Sequence, residues 1–341
     1  MPALSRLLFF CLMLLPLLIA AGNSHADELL VGNKSGDSVW RLSPRDGRKT
    51  GEFRTGKAPH EIAVAANGRF ALVSNYGRET SGNTLSVLDL VGGKPTRSID
   101  LGEHGAPHGL RLLPGDQRAL VTTEGSASLL LVDIASGKVE RVIDVGGGTG
   151  HMLALSPDAR FAYVTKVNAG TVSRIDLASG IKTHERPAGK GAEGVAVSPD
   201  GREVWVANRE DGTLTVHDPA TLVLRRRMSS KGFPIRVAFT REGRHALVVN
   251  ARAANVAVFD VRTKLRVATV ELAEAGVEYS QTMLGRAGLP IGMVVDHVRP
   301  RVYVAISGGD QVAVIDMRSW KVVDHWPAGR EPDALGFVPG D

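Results

Sequence analysis

The chain has 341 residues, of which 43% are hydrophobic, 5% are aromatic and 39 are glycine, and it contains one cysteine. The apolar content is enough for a folded core, which excludes an intrinsically disordered chain, and so many glycines disfavour a bundle of long helices. The 41 basic and 36 acidic residues give a formal net charge of +5 that is spread along the chain. This distribution gives no reason to expect a nucleic-acid partner.

Residues 1–26 are expected to be a secretory signal peptide. Arg6 precedes an uncharged apolar run, Leu7–Ala21, and Ser24-His25-Ala26 places small residues at the −3 and −1 positions of a cleavage site. The run is shorter than the roughly 18 apolar residues of a membrane span, and it contains Pro16. We therefore expect cleavage after Ala26.

Cleavage there leaves residues 27–341 as the mature chain. The single cysteine, Cys11, is lost with the leader, so the mature protein is expected to have neither a disulfide nor thiolate chemistry. The sequence thus predicts a periplasmic or secreted protein that has no membrane span after cleavage.

One unit recurs along the mature chain. It contains four short strands of alternating polarity, bounded by Gly, Pro, Asn or Asp, and its third strand ends at an aspartate. Pro44 takes the aspartate's place in the first unit. The recurring aspartates are Asp89, Asp133, Asp176, Asp218, Asp260 and Asp316.

Four strands in about 42 residues form one blade of a propeller. The sequence therefore predicts a single all-β domain, a seven-bladed β-propeller with four-stranded antiparallel blades. The chain starts with three strands of a blade and ends with an isolated first strand near residues 334–338. That last strand is expected to join the N-terminal blade and close the ring, because closure removes exposed sheet edges.

A four-residue motif marks the second strand of the units. It stands as Tyr163-Val164-Thr165-Lys166 and Trp205-Val206-Ala207-Asn208, and Ser198-Pro199-Asp200-Gly201 forms the turn before the latter. Over residues 28–338 the chain resembles the YVTN-repeat β-propeller family. This resemblance implies an exported or surface seven-bladed propeller. Related propellers include lactonases, lyases and proteins linked to periplasmic redox systems, so the fold implies no single function.

One position per blade is expected at the mouth of the central channel, in the loop before the first strand. In the first six units it lies 15 residues before the last residue of the four-residue motif. We call these residues the first ring: His60, His108, His151, Glu193, Ile235, Ile291 and Asp333.

The first ring presents three histidines on consecutive blades. Together with Glu193, the imidazoles of His60, His108 and His151 form a donor set suited to zinc or copper. Without a metal, the same cluster suits acid–base catalysis or ligand contact. The alternative is that these side chains are only solvated or hydrogen-bonded to neighbouring loops. Their separations depend on the channel radius, which the sequence does not determine.

Three further residues are expected to contact a ligand or partner near this mouth. The interval from Asp260 to the next recurring aspartate is 56 residues, which indicates an insertion near residues 274–289. Tyr279 and Arg286 of this insertion are expected at the mouth, although an insertion is also tolerated as a plain surface loop. Arg236, next to the first ring, is expected to contact an anion.

No nucleophile motif such as Gly-x-Ser-x-Gly is present in the sequence. The sequence therefore favours a non-catalytic periplasmic binding or scaffold protein, with a small ligand or a periplasmic protein held at the channel mouth. Two alternatives remain: a metal-assisted or histidine-based hydrolase or lyase, such as a lactonase, and an accessory protein of a redox system.

Overall fold

The structure is a computed structural model that describes residues 26–94, 96–274, 276–282 and 284–340. The expected signal peptide, residues 1–26, lies outside the described residues except for Ala26. Within the described ranges, no helix is long and apolar enough to cross a membrane.

The predicted seven-bladed propeller is confirmed, with seven four-stranded antiparallel sheets and a single 3₁₀ turn, Ser307–Gly309, in the described chain. The strands of the first four blades are β1 Glu28–Asn33, β2 Ser38–Leu42, β3 Lys49–Arg54, β4 Pro59–Val64, β5 Phe70–Gly77, β6 Ser81–Asp89, β7 Arg97–Asp100, β8 Pro107–Leu112, β9 Arg118–Thr123, β10 Ser128–Asp133, β11 Val139–Asp144, β12 Gly150–Leu155, β13 Phe161–Lys166, β14 Thr171–Asp176 and β15 Ile181–Pro187. The remaining strands are β16 Ala192–Val197, β17 Val204–Asn208, β18 Thr213–His217, β19 Leu224–Ser229, β20 Pro234–Phe239, β21 His245–Asn250, β22 Asn255–Asp260, β23 Arg266–Glu271, β24 Gln281–Thr282, β25 Gly285–Arg286, β26 Pro290–Val295, β27 Arg301–Ile306, β28 Gln311–Asp316, β29 Lys321–Pro327 and β30 Pro332–Val338.

The ring closes as the sequence predicts. Strand β30 pairs antiparallel with β1 in a register that runs from Glu28 opposite Val338 to Gly32 opposite Ala334. The N-terminal blade therefore takes one strand from the far end of the chain, in the order β3-β2-β1-β30. This pairing satisfies backbone groups of β1 that would otherwise form an open sheet edge.

The recurring aspartates have a local structural role. The Oδ1 atoms of Asp133, Asp176 and Asp260 accept hydrogen bonds, at 2.7 to 2.9 Å, from the backbone N–H three residues later. A side chain that accepts from the backbone in this way shapes the turn between the third and fourth strands. The spacing of these aspartates therefore follows from the length of one blade, and their side chains serve the turns between strands.

The core lies between neighbouring blades. Trp205 of β17 is fully buried and packs in one cluster with Val237 and Val248 of the next blade. The fourth strand of each blade is the most exposed, as β19 shows, where every residue except Met228 is exposed. Apolar residues thus hold the blades together side by side, and polar residues concentrate on the outer rim and the channel.

Candidate functional site

The same backbone turn precedes every residue of the first ring. Two positions before each ring residue the backbone is left-handed, with φ between 49° and 72°. A non-glycine residue in this conformation costs roughly 1–2 kcal/mol, so surrounding structure must hold it there. The seven left-handed residues are Ala58, Ala106, Thr149, Gly191, Phe233, Leu289 and Glu331.

Each left-handed residue also fixes a second residue at the mouth. Its carbonyl accepts a hydrogen bond of 2.9 to 3.1 Å from a backbone N–H at or just after the end of the second strand of the same blade. These partners form what we call the second ring: Lys34, Tyr76, Glu124, Val167, Arg209, Ala251 and Ser307. All seven residues of the first ring and the first five of the second ring line one cavity of about 250 Å³.

The three histidines of the first ring lie in a row that we call the histidine stack: His108 meets His60 edge to face and lies against His151 at an interplanar angle of 36°. The ring centroid of His108 lies 4.2 Å from that of His60 and 3.7 Å from that of His151. His108 is buried, and its Nδ1 has no hydrogen-bond partner among the described residues. A buried polar atom without a partner is rare in proteins, which marks the middle histidine as a place where a ligand atom fits.

His151 is held between two carboxylates. Its Nδ1 pairs with Glu124, and its Nε2 lies 3.6 Å from Oε1 of Glu193. The hydroxyl of Tyr76 donates to the other oxygen of Glu124 at 2.6 Å, and Arg209 donates to Glu193 at 2.6 Å. These contacts fix the orientation of both carboxylates and of the imidazole.

His60 faces a different acidic group. Its Nδ1 lies 2.9 Å from Oδ2 of Asp333, and Lys34 lies 3.4 Å from the same oxygen. Burial alone would raise the pKa of Asp333, but its contacts with His60 and Lys34 outweigh burial and hold this pKa below its usual range. Asp333 is therefore ionised, and its carboxylate lies next to the imidazole of His60.

The two other histidines differ in their proton affinity. Burial lowers the pKa of His108 well below its usual value, and the neighbouring His151 and His60 lower it further. For His151, burial acts in the same direction, but hydrogen bonds to Glu124 and Glu193 outweigh it and raise the pKa to about 9. The stack therefore contains a neutral imidazole beside one that is protonated when no metal is bound.

A metal ion fits three of these side chains. One donor atom each from His108, Glu124 and His151 all lie within 4.8 Å of one another. Two imidazoles and one carboxylate form a common zinc ligand set in catalytic sites, where a fourth position stays open. The hydrogen bond from Tyr76 to Glu124 is the kind of outer contact that orients a metal ligand.

Below the histidines, a charge pair crosses the channel. Nη2 of Arg236 on β20 lies 2.6 Å from Oε1 of Glu61 on β4, and both side chains are largely buried. The pair belongs to two blades that are not neighbours in the ring, and Arg236 lines the floor of the cavity. Its guanidinium is thus engaged by a protein carboxylate.

A family model described as the cytochrome D1 heme domain matches residues 116–335, well over half of the chain. The chain belongs to the cytochrome D1 heme domain family. The match begins after β8, so it includes Glu124, His151 and Glu193 but neither His60 nor His108. The cytochrome D1 family assignment therefore covers only part of the histidine stack.

A solved structure supports the fold of this member of the cytochrome D1 heme domain family. It is similar to the crystal structure of a functionally unknown protein from Desulfotomaculum acetoxidans DSM 771, with a TM-score of 0.76 and 16% identity over 92% of this chain and 99% of that one. At this identity the likeness shows the fold alone. No curated protein matches the chain. The seven-bladed propeller predicted from the repeat is confirmed, whereas the matching family carries a different name and YVTN-repeat membership stays a prediction.

The structure brings most of the predicted site residues of the cytochrome D1 family chain to one cavity. All first-ring residues and Arg236 line it. Tyr279 and Arg286 do not: the Tyr279 hydroxyl accepts from the Glu274 N–H at 3.0 Å, and Arg286 is exposed. The insertion reaches the cavity instead through Leu284.

Sequence reasoning did not identify the second ring as a set. Glu124, the carboxylate nearest to His151, was not predicted, and neither was Lys34. A signal for them exists, because each member of the second ring directly follows the last residue of the four-residue motif. Only the cross-strand hydrogen bond to the left-handed residue shows that this position shares the mouth with the first ring.

Proposed function

We propose that this exported propeller binds a divalent transition metal at the channel mouth and holds a small ligand beside it. The observation that carries the proposal is the convergence of donor atoms from His108, Glu124 and His151 within 4.8 Å. The unpartnered Nδ1 of His108 supports it independently. Export, to the periplasm or beyond, rests on the expected signal peptide and is tested by fractionating cells that express the full chain.

Both carboxylates beside His151 have a positive partner in the metal-free protein. Arg209 pairs with Glu193, and the extra proton of His151 balances Glu124. A bound metal takes over this role, because metal ligands bind as neutral imidazole and carboxylate and a metal displaces the proton. Zinc fits the donor set, and copper is the other metal that binds imidazole well.

The rest of the cavity defines the kind of ligand. On the side opposite the histidine stack, the first ring presents Ile235 and Ile291, and Leu284 of the insertion adds a third apolar side chain. Small-molecule pockets combine such apolar walls with a few placed polar groups. The ligand we propose therefore has one group that coordinates the metal and a short apolar part that lies against these three residues.

The family's description names a heme domain, and a heme at this site would have to share the mouth with the three imidazoles. The imidazole of His108 contacts those of His60 and His151 directly, with centroids 4.2 and 3.7 Å away. No flat macrocycle fits between the imidazole rings of these histidines. The cavity, at about 250 Å³, is also smaller than the roughly 300–1,000 Å³ of pockets for drug-sized ligands. The residues of this cavity suit a single metal ion, and the space between the three imidazoles does not admit a heme.

Metal content provides the main test. The chain from residue 27 is stripped with a chelator, reloaded with Zn²⁺ or Cu²⁺, desalted and measured by mass spectrometry. We expect about one metal per chain, loss of that metal in the His108→Ala/His151→Ala variant, and at least tenfold weaker binding in Glu124→Gln. His297→Ala, which changes an exposed histidine, is the matched control and should keep the metal. Equal metal in wild type and the double variant would refute the site.

Heme binding is tested on the same preparations. After addition of hemin, we expect the absorption spectrum of the wild type to match that of the His108→Ala/His151→Ala variant, because the stacked imidazoles leave no slot for the macrocycle. A Soret band that shifts and saturates at one hemin per chain, and that is absent from the double variant, would contradict this expectation.

A second candidate function is hydrolysis of an ester or lactone. The observation that favours it is the pairing of His60 with Asp333 directly beside the proposed metal ligands. A metal in the site supplies Lewis acidity. His60 accepts the proton of an attacking water, and Asp333 stabilises the resulting imidazolium. Turnover of a lactone panel that is lost in His60→Gln while metal content stays unchanged would support this function, and no turnover would leave binding as the function.

A further inference from the structure

A second cavity lies in the channel, beneath the pair of Arg236 and Glu61. Its volume is about 260 Å³, and it lies among strands β4, β8, β20, β26 and β30. Apart from Glu61, Arg111 and Arg236, its walls are apolar side chains and glycine backbone, and they include Ile62, Met293 and Phe337. It is therefore an apolar tube with charged groups at one place.

Arg111 is the unusual member of this lining. It is partly buried, and its one hydrogen bond among the described residues runs from Nη1 to the carbonyl of its neighbour Leu110 at 2.7 Å. No carboxylate of the described chain lies within 4.0 Å of it. Glu61, the carboxylate in the same cavity, is already engaged by Arg236 at 2.6 Å. Most of the five N–H donors of this guanidinium thus have no protein acceptor.

The charges of the cavity do not balance. Two guanidinium groups face one carboxylate, which leaves one positive charge inside apolar walls. Burial lowers the pKa of Arg111, and attraction by Glu61 does not offset it. The Arg111 side chain is only partly buried, and its unpaired N–H groups offer charge-assisted hydrogen bonds to a small anion that enters this tube.

We propose that the lower channel binds a short-chain monocarboxylate. Its carboxylate accepts two parallel hydrogen bonds from the planar fork of Arg111, which is the geometry that arginine offers to carboxylates. Its aliphatic chain lies along the apolar wall, where burial of each methylene stabilises the complex by about 0.8 kcal/mol. This site is separate from the proposed metal site, because the pair of Arg236 and Glu61 lies between them.

The test is a calorimetric titration of hexanoate into metal-stripped protein from residue 27, in a buffer without chloride. Removing the metal excludes coordination of hexanoate at the mouth. We expect one hexanoate per chain, no binding of hexylamine, and at least tenfold weaker hexanoate binding in Arg111→Gln. Arg226→Gln, which changes an exposed arginine on β19, is the matched control and should bind like wild type.

A second variant, which keeps Arg111, distinguishes loss of the binding site from a folding defect. Ala238→Leu narrows the apolar tube and should abolish hexanoate binding while the thermal melting curve stays cooperative. Hexanoate binding that is equal in wild type, Arg111→Gln and Ala238→Leu would overturn the proposal. So would binding of chloride alone, or no binding of any anion to the wild type. None of these results depends on whether the mouth binds a metal.

Discussion

At the scale of single residues, six of the seven left-handed positions before the first ring are not glycine. They are held by the hydrogen bond from the second ring to their carbonyl. The exception is Gly191, with φ of 67°. The N–H of Arg209 donates to its carbonyl at 2.9 Å, so this turn joins Glu193 to the arginine that orients it. Strain at these positions is tolerated because it directs side chains into the channel mouth.

Gly191→Ala is expected to destabilise the fold by about 1–2 kcal/mol, because an alanine with positive φ is strained. Its new Cβ would also lie 2.7 Å from Cγ of Arg209, which must then move away from Glu193. Urea unfolding followed by circular dichroism measures the change. Gly147→Ala is the control, since its Cβ would meet nothing within 4 Å and its φ is not positive. An equal loss in both variants would contradict the role of the left-handed turn.

At the scale of strands, one blade has a lysine as the last residue of the four-residue motif, where the other blades have asparagine or another uncharged residue. Lys166 ends β13, is buried, and lies 2.6 Å from Oε1 of Glu185 on β15. Partial burial would raise the pKa of Glu185, but hydrogen bonds from Lys166, Lys182 and Thr171 outweigh it and lower the pKa to about 2. The outer strand thus supplies the counter-charge of a buried lysine two strands away.

Glu185→Gln is expected to lower stability at pH 7 by about 2 kcal/mol, because it leaves the buried lysine without its counter-charge. The folded pKa lies below the ordinary value. The wild type therefore has this stabilisation in full above about pH 4.5 and loses it as the pH falls towards 2. Unfolding curves of both proteins should converge in that window.

The matched control for this change is Glu140→Gln on β11. Glu140 lies 3.9 Å from Arg118, and both side chains are exposed, so the expected change is within about 0.5 kcal/mol. A difference between Glu185→Gln and wild type that stays constant from pH 7 to pH 2.5 would show that the carboxylate charge is not the cause.

The elements themselves were accessible from the sequence. The alternating strands, the aspartate turns and the split N-terminal blade follow from local patterns, and the structure bears them out. The first ring was also found by register. Glu124 was not, because the residue after the motif is chemically different in every blade, as Tyr76 and Val167 illustrate. No pattern in residue type marks that position, and only backbone pairing does.

At the scale of the whole molecule, the channel is crossed by the pair of Arg236 and Glu61, whose strands lie 175 residues apart in the chain. Burial would lower the pKa of Arg236, but the Glu61 carboxylate outweighs it and raises the pKa. The pair ties two blades that do not pack against each other, and it separates the two cavities. Sequence could not predict this contact, because it depends on the channel radius and on the angle between blades.

A double-mutant cycle tests how much the ion pair of Arg236 and Glu61 stabilises the ring. Arg236→Met is expected to cost about 3–5 kcal/mol, because it leaves Glu61 buried without a counter-charge, whereas Arg236→Met/Glu61→Gln should cost much less. Chemical denaturation gives the four free energies. Additive costs of the two single changes would mean that the two side chains stabilise the ring independently.

The pairing of β30 with β1 also fixes an order of events in the life of the chain. Ribosomes make β1 long before β30, so the N-terminal blade remains one strand short until β30 has emerged. Six blades can form while synthesis continues, but the ring stays open and β1 offers unpaired N–H and C=O groups to any other strand nearby. A chain that loses β30 through early termination or proteolysis would therefore expose an open sheet edge and tend to aggregate. Ring closure by β30 thus requires the cell to degrade such truncated chains.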